Sequence, residues 1–277
     1  PHVYLYSDRC IMCTRCVRFT REVTGTAELS VQGRGNKEEI DLFPGIALDN
    51  ELASNVIDLC PVGALLSREL LDHARVWYLQ PTPSVCPGCE RGCTVNIWHR
   101  RHEWKLNALD PRLNTSIDRV TPLANPAVNG SWVCNKARDL AHLFERPRAE
   151  QTLINGLPAG VSDGVSAAAK LIASAQHPVA LVSSWASNEE LAAFKAALGD
   201  RFTSFVKSDH TPIAGETIED HLLIKPDKNP NRRGALALFA DSVPAVLPQT
   251  DLLLVWGEGF PSAAAPPAAA NQSRRLR

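Results

Sequence analysis

The apolar positions fall into short strand-like and helix-like runs whose character changes midway along the chain. Residues 3–6 (VYLY) read as a strand and residues 16–23 as a short helix. Residues 27–32 and 38–43 fit a strand pair around a polar turn holding Gly33 and Gly35. Residues 51–59 fit a second helix, with Leu52 and Val56 on one face and Asn50 as its N-cap. Residues 64–66 offer a closing strand, so the pattern is β-α-β twice over. Residues 94–100 and 103–109 suggest a hairpin, with Val95 and Ile97 alternating with polar or aromatic positions. Past residue 150 the pattern is different. A helix at 164–175 precedes a strand in PVALVSS, the capping box Ser187–Glu190 opens a helix through Leu198, and 202–207 and 251–256 read as strands. Such alternation predicts a parallel sheet. Residues 261–277 are Pro/Ala-rich and predict a disordered tail.

Composition supports a folded core, with 44% hydrophobic and 21% charged residues among 277. With 29 Lys+Arg against 30 Asp+Glu, no global basic field exists to draw nucleic acid or an anionic membrane. No apolar run is long enough for a transmembrane helix, and no signal-peptide pattern opens the chain. The first residue is Pro1, so a fragment, a processed form or a trimmed chain is expected.

The eight cysteines change the picture most. All lie in the first 134 residues, as two tight triplets each followed by one distant partner. Disulfide frameworks usually space their cysteines regularly through small secreted domains. Triplets this tight suit thiolates converging on metal, and two sets of four leave none over.

The first triplet, Cys10, Cys13 and Cys16, reads CxxCxxC, and its partner Cys60 is followed by Pro61. Such a loop wraps three corners of an iron-sulfur cubane while the fourth thiolate arrives from elsewhere. A four-cysteine zinc site more often takes two CxxC pairs and is the alternative. The doubled β-α-β layout is similar to that of bacterial ferredoxins, whose two-cluster forms carry C-x2-C-x2-C-x3-CP twice, each fourth cysteine ligating the other cluster. Here the fourth position of the first motif is Thr20, and Asn50, Ala53 and Val56 replace the first three of the second. One cluster is therefore expected, on Cys10, Cys13, Cys16 and Cys60. Arg9, Arg15, Arg18 and Arg21 stand beside these ligands, where they could tune the cluster, contact a partner or simply face solvent.

The second set reads CxxCxxxC at Cys86, Cys89 and Cys93, with Cys134 as distant partner. Gly88 and Gly92 would let backbone N–H groups approach the sulfurs. A second [4Fe-4S] cluster is expected, with a zinc knuckle as the rival.

The stretches DRCIMCTRCVRFTREVTGTAELSVQGRGNKEEI, LASNVIDLCPVGAL, SVCPGCERGC and NPAVNGSWVCNKAR, and more weakly LLIKPDKNPNRRG and LLLVWGEGF, carry a family resemblance. The chain closely resembles the large iron-sulfur subunit of NADH:quinone oxidoreductase, respiratory complex I. The resemblance implies that the cluster on Cys10, Cys13, Cys16 and Cys60 lies on the main electron path. It implies that Cys86, Cys89, Cys93 and Cys134 hold the extra cluster of some bacterial members, off that path. The family's upstream [2Fe-2S] and His/Cys cluster modules have no counterpart here, and the chain reads as a central piece of a longer protein.

Residues 81–140 also resemble the cluster domain that opens molybdopterin oxidoreductases. Lys136 takes the place of the lysine that bridges to the pterin there, but Ala137 replaces the usual glycine and no later cysteine could ligate molybdenum. Lys136 is therefore expected to be vestigial, and molybdopterin is not expected. The Gly257-Glu-Gly259 sequence is a strand-end turn rather than a dinucleotide loop. No histidine or tryptophan joins a catalytic constellation; His73 and His142 read as surface or packing residues.

The expected architecture is an α+β ferredoxin-like [4Fe-4S] domain over 1–80 and a small β-rich [4Fe-4S] domain over 81–146. An α/β molybdopterin-oxidoreductase-like domain over 147–260 and the tail 261–277 follow. The expected function is an electron relay with no substrate-converting residue of its own. By resemblance its partners are the flavin/NADH-binding, ferredoxin-type and quinone-site subunits, on the cytoplasmic side of the bacterial inner membrane. The alternatives are an NAD-linked formate dehydrogenase or hydrogenase subunit and a zinc-stabilised scaffold.

Overall fold

The first strand-like run becomes β1 (Val3–Leu5) in the computed structural model, which describes residues 3–68, 70–71, 75–100, 117–144, 150–206, 219–242, 247–257 and 274–276. Two compact units are present, one of residues 1–146 and 215–226, the other of residues 147–214 and 227–277.

In the first unit α1 (Arg15–Arg18) runs directly into a π-helical turn over Phe19–Val23. The widening falls at Thr20, whose Oγ1 donates back to the Val17 carbonyl, while Thr24 Oγ1 donates to the Thr20 carbonyl. β2 (Leu29–Gln32) and β3 (Glu39–Leu42) pair antiparallel across the turn. Gly33 there has φ +82°, and a Cβ would fall 2.1 Å from the Lys37 carbonyl oxygen, so only glycine fits. After α2 (Asn55–Leu59), β4 (Leu65–Ser67) pairs antiparallel with β1, Leu5 facing Leu65. Two two-stranded sheets and two helices thus build the doubled β-α-β pattern.

The second helix starts later than the pattern predicts. Residues 51–54 are turn, Ser54 is the N-cap, and the Asn50 Oδ1 accepts the Leu52 N–H at 2.9 Å. The cause is long-range. The carbonyls of Asn50 and Glu51 accept hydrogen bonds from Asn135, so they leave the helical ladder.

β5 (Leu79–Val85), β6 (Thr94–Arg100) and β7 (Arg119–Pro122) form an antiparallel sheet with β6 central. The strand expected at 103–109 lies outside the described residues, as does His73. β5 was hidden in the sequence by Pro81 and Pro83, which cannot donate to a ladder and are tolerated on this edge strand. Short helices α3 (Asn135–Arg138) and α4 (Leu140–Phe144) follow. One core joins Val17, Phe19, Leu29, Val56 and Leu65 with Val95, Val120, Val133 and Ala137, so residues expected as two domains share a single interior. Residues expected within the α/β domain also join this unit. Leu223 enters the core, the Asp220 Oδ1 accepts the N–H groups of Leu222, Leu223 and Ile224, and His221 Nε2 lies 3.2 Å from the Val23 carbonyl.

The second unit opens with a hairpin of β8 (Thr152–Ile154) and β9 (Leu157–Ala159), then α5 (Val161–Ser174). β10 (Pro178–Val182), buried at every position, is followed by α6 (Asn188–Leu198), β11 (Thr203–Val206), α7 (Arg232–Leu238) and β12 (Ala240–Ser242). β13 (Leu252–Trp256) and β14 (Arg274–Leu276) complete a parallel sheet in the order β12-β11-β10-β13-β14. β14 falls inside the segment expected to be a disordered tail. Both arms of the capping box form, Glu190 N–H to Ser187 Oγ at 3.2 Å and Ser187 N–H to Glu190 Oε2 at 2.8 Å. Gly257 ends β13 at φ +88°, and a Cβ there would meet the Ser183 Cβ at 2.6 Å. Among the described residues no helix is long and apolar enough to cross a membrane.

Candidate metal-cluster sites

Cys10 follows a 3-10 turn over Ser7–Arg9 and donates its N–H to the Ser7 carbonyl at 2.8 Å. Cys16 sits in α1, and Cys60 ends α2, its N–H bonded to the Val56 carbonyl at 3.1 Å. Between the first three cysteines Met12 and Thr14 both adopt left-handed backbone, at φ 53° and 58°. Non-glycine residues take that region at a cost, and two so close give the loop its tight curl. The loop turns N–H groups toward sulfur: Met12 donates to Cys10 Sγ at 3.4 Å. Past the distant cysteine, Gly63 at φ +65° turns the chain so that Ala64 donates to Cys60 Sγ at 3.2 Å.

These two segments meet. A single cavity is lined by Cys10, Cys13, Cys16 and Cys60, walled by Leu5, Ile40, Ala64 and Leu65 and rimmed by Ile11, Arg15 and Val62. Burial pushes the Cys16 thiol up, with the neighbouring Cys10 and Cys13 adding to it. Burial acts the same way on Cys60, but the N–H groups of Leu65, Val62, Ala64 and Gly63 together outweigh it and hold that thiol below its ordinary value.

The second set also converges. The Cys86 N–H donates to the Cys93 carbonyl at 2.8 Å, closing the loop at the junction of β5 and β6. Cys86 and Cys93 are buried, and Cys134 is the N-cap of α3. Cys86 and Cys93 are pushed up to about 12, chiefly by burial and in part by the charge of Cys134 and Cys89. Cys134 is raised by burial, against which the Ala137 N–H and, to a lesser extent, the Lys136 ammonium act to lower it. The Gly88 N–H reaches Cys86 Sγ at 3.4 Å as expected, whereas the Gly92 N–H bonds the Cys89 carbonyl instead of a sulfur. Among the described residues no three His, Cys, Asp or Glu side chains close around a single-ion position. The first set is spread around a cavity. Thiol donors, apolar walls and N–H groups aimed at sulfur suit a thiolate-bound metal centre.

Sequence reasoning missed what joins the two sites. Asn55 and Asn135 are both buried. The Asn55 amide donates to the Val133 carbonyl at 2.8 Å and accepts the Val133 N–H at 3.2 Å. Asn135 Oδ1 accepts the Ser54 N–H at 3.0 Å, its Nδ2 donates to the Asn50 carbonyl at 2.9 Å, and its backbone N–H reaches the Glu51 carbonyl at 2.7 Å. Beside them Asp58 takes Arg119 at 2.9 Å and Arg138 at 2.5 Å. The helix leading to Cys60 and the turn carrying Cys134 are thus clasped by reciprocal side-chain-to-backbone bonds. The only sequence signal was a pair of amides set among apolar neighbours.

The family described as NADH-quinone oxidoreductase subunit 3, ferredoxin-like domain, matches residues 1–66, the stretch that holds the first four cysteines. Over 156 residues the chain is 36% identical to the mitochondrial NADH dehydrogenase (ubiquinone) iron-sulfur protein 1 of Solanum tuberosum, covering 56% of this chain and 19% of that protein. It is 38% identical over 154 residues to the 75 kDa subunit of NADH-ubiquinone oxidoreductase of Reclinomonas americana, covering 56% of this chain and 20% of that protein. It is 35% identical over 138 residues to an NADH-quinone oxidoreductase subunit of Rickettsia typhi, covering 50% of this chain and 18% of that protein. The chain thus spans about a fifth of the length of these relatives. Its first half is related to the large iron-sulfur subunit of NADH:quinone oxidoreductase.

Proposed function

We propose that this chain is an electron-relay segment of an NADH:quinone oxidoreductase, holding two [4Fe-4S] clusters. Cys10, Cys13, Cys16 and Cys60 hold the first and Cys86, Cys89, Cys93 and Cys134 the second. The observation that carries the reading is the meeting of Cys60 with the Cys10–Cys16 loop around one apolar cavity. Each cluster, when bound, accepts and releases one electron at a time. The chain's own residues do the rest. Leu5, Ile40 and Leu65 keep water from the first site, and the Met12 and Ala64 N–H groups hold negative charge on its sulfurs.

In this reading residues 1–80 and 81–146 are the two cluster-bearing parts and residues 147–260 an α/β part akin to the molybdopterin oxidoreductases. The parallel five-stranded sheet supports that kinship. Lys136, two residues past Cys134, is the vestige of a pterin contact and offsets charge at the second site. Partners are the flavin/NADH-binding, ferredoxin-type and quinone-site subunits of the peripheral arm, on the cytoplasmic side of the bacterial inner membrane.

The test is anaerobic reconstitution of the full chain with iron and sulfide counted. About 8 iron and about 8 acid-labile sulfide per chain are expected. A colourless protein holding about 2 zinc would overturn the reading.

A further inference from the structure

Met12 is the single methionine of the chain. It stands between Cys10 and Cys13 with left-handed backbone, φ 53°. Glycine and asparagine take that region at the least cost, so the backbone gives no reason for a methionine here. The side chain does. Its thioether Sδ lies 3.8 Å from Cys10 Sγ, while its own N–H donates to the same sulfur at 3.4 Å. Cys10 lines the cysteine cavity and Met12 does not; Met12 packs, partly buried, against the core of the first unit, and so meets the Cys10 sulfur from the core side. The two ends of the cysteine set are therefore treated differently. The turn after Cys60 brings the Ala64 N–H to that sulfur at 3.2 Å, with the N–H groups of Val62, Gly63 and Leu65 around it. Among the described residues Cys10 Sγ accepts the Met12 N–H and has a thioether beside it. A thioether is a weak acceptor and has no proton to give.

We propose that Met12 is a positioning residue for the first cluster: its thioether closes the Cys10 sulfur to water and to any donor beyond its own N–H, and so holds that cluster's midpoint potential low. The proposal rests on the electron-relay reading and adds to it the residue that limits charge stabilisation at one ligand. Reduction adds one electron, and ligand sulfurs share the added negative charge. Water or a donor at such a sulfur favours the reduced state and raises the potential. At Cys10 one donor is fixed by the backbone, and the thioether of the same residue occupies the space from which a second would come. A flexible, unbranched thioether suits that task, because it fills an irregular gap beside a tight loop without bringing a proton to it. The left-handed φ is a cost that leucine or glutamine would bear equally at this position, so substitutions by either isolate what the side chain does.

The experiment uses the reconstituted full chain, whose second cluster serves as an internal reference. Growth on selenomethionine enriched in the magnetic selenium isotope, with the initiator methionine removed, places a single nuclear spin beside Cys10. Electron-nuclear double resonance of the reduced protein should show selenium coupling on the first cluster's signal, the one that Cys60→Ala removes, and none on the second's. Met12→Gln keeps the length and the unbranched Cβ but brings an amide donor. It should shift the first cluster's midpoint potential upward in an EPR-monitored redox titration and leave the second where it was. Met12→Leu, apolar and without a donor, should move neither. A space-filling role alone would leave the potential unmoved in both variants. Absence of selenium coupling, an unmoved potential in Met12→Gln, or an equal shift in Met12→Leu would overturn the proposal. Where Met12→Gln does not take up its cluster, the selenium coupling decides alone. An unsubstituted chain with no reducible cluster overturns the electron-relay reading itself, whereas two reducible clusters without selenium coupling overturn this proposal only.

Discussion

Truncating Asn55 tests whether the two cysteine sites form one mechanical unit. Its side chain makes four hydrogen bonds: Nδ2 to the carbonyls of Leu52 and Val133, both at 2.8 Å, and Oδ1 from Val133 N–H and Arg138 Nη2, both at 3.2 Å. Val133 is fully buried, so Asn55→Ala strands both its backbone groups away from water. A buried group left unpaired costs about 1–3 kcal/mol, giving about 2–6 kcal/mol for the pair. Alanine recovers about 0.5 kcal/mol through its helix propensity. The net expectation is about 3 kcal/mol, or a fall of about 1.5 M in urea midpoint for a unit of this size. The assay is urea unfolding of the reconstituted full chain, with cluster absorbance reporting the first unit. Asn55→Asp, which keeps the acceptor but not the donors, should fall between. The reasoning also requires both clusters to become labile together, since Asn55 lies on the Cys60 side and Val133 adjoins Cys134. A cost under about 1 kcal/mol, or loss confined to one cluster, would refute it.

In cluster-free protein, iodoacetamide near neutral pH should label Cys60 ahead of Cys86 and Cys93, because only thiolate reacts and burial holds the latter pair up to about 12. Peptide mass spectrometry reads the order, and Cys86 labelling first would contradict it. Metal loading at the second set must expel protons from those raised thiols, so its yield should rise with pH more steeply than that of the first set, as measured by iron content against pH. Asp251 accepts the N–H groups of Gln176 and His177 at 2.5 and 2.9 Å, which together hold its carboxyl below the ordinary value. A depressed carboxyl contributes stability above its unfolded pKa and loses it as pH falls through the folded value. The second unit should therefore weaken in acid, and Asp251→Asn should flatten that dependence in unfolding curves taken at several pH values.

What could be read from the sequence was local. The capping box at Ser187 and Glu190 involves residues three apart, and both of its bonds are present. The β2–β3 turn at Gly33 was legible because a positive φ demands glycine. The spacing of Cys10, Cys13 and Cys16 likewise encodes a loop. Features set by distant partners stayed hidden. β5 was masked by prolines that only an edge position tolerates, and an edge is a property of the finished sheet. The late start of α2 follows from Asn135, about 80 residues away, taking carbonyls the helix would have used. That the two cluster regions share a core follows from the same contacts. The docking of Leu223 into that core depends on the Asp220 turn, whose sequence reads as ordinary loop.

The most direct test of the central claim is Cys60→Ala in the reconstituted full chain, read by low-temperature EPR of the reduced protein together with iron content. The account predicts loss of one cluster signal and about 4 iron per chain, with the other signal intact. Two unchanged signals and full iron would show that Cys60 is no ligand, and the assignment of the first site would fall.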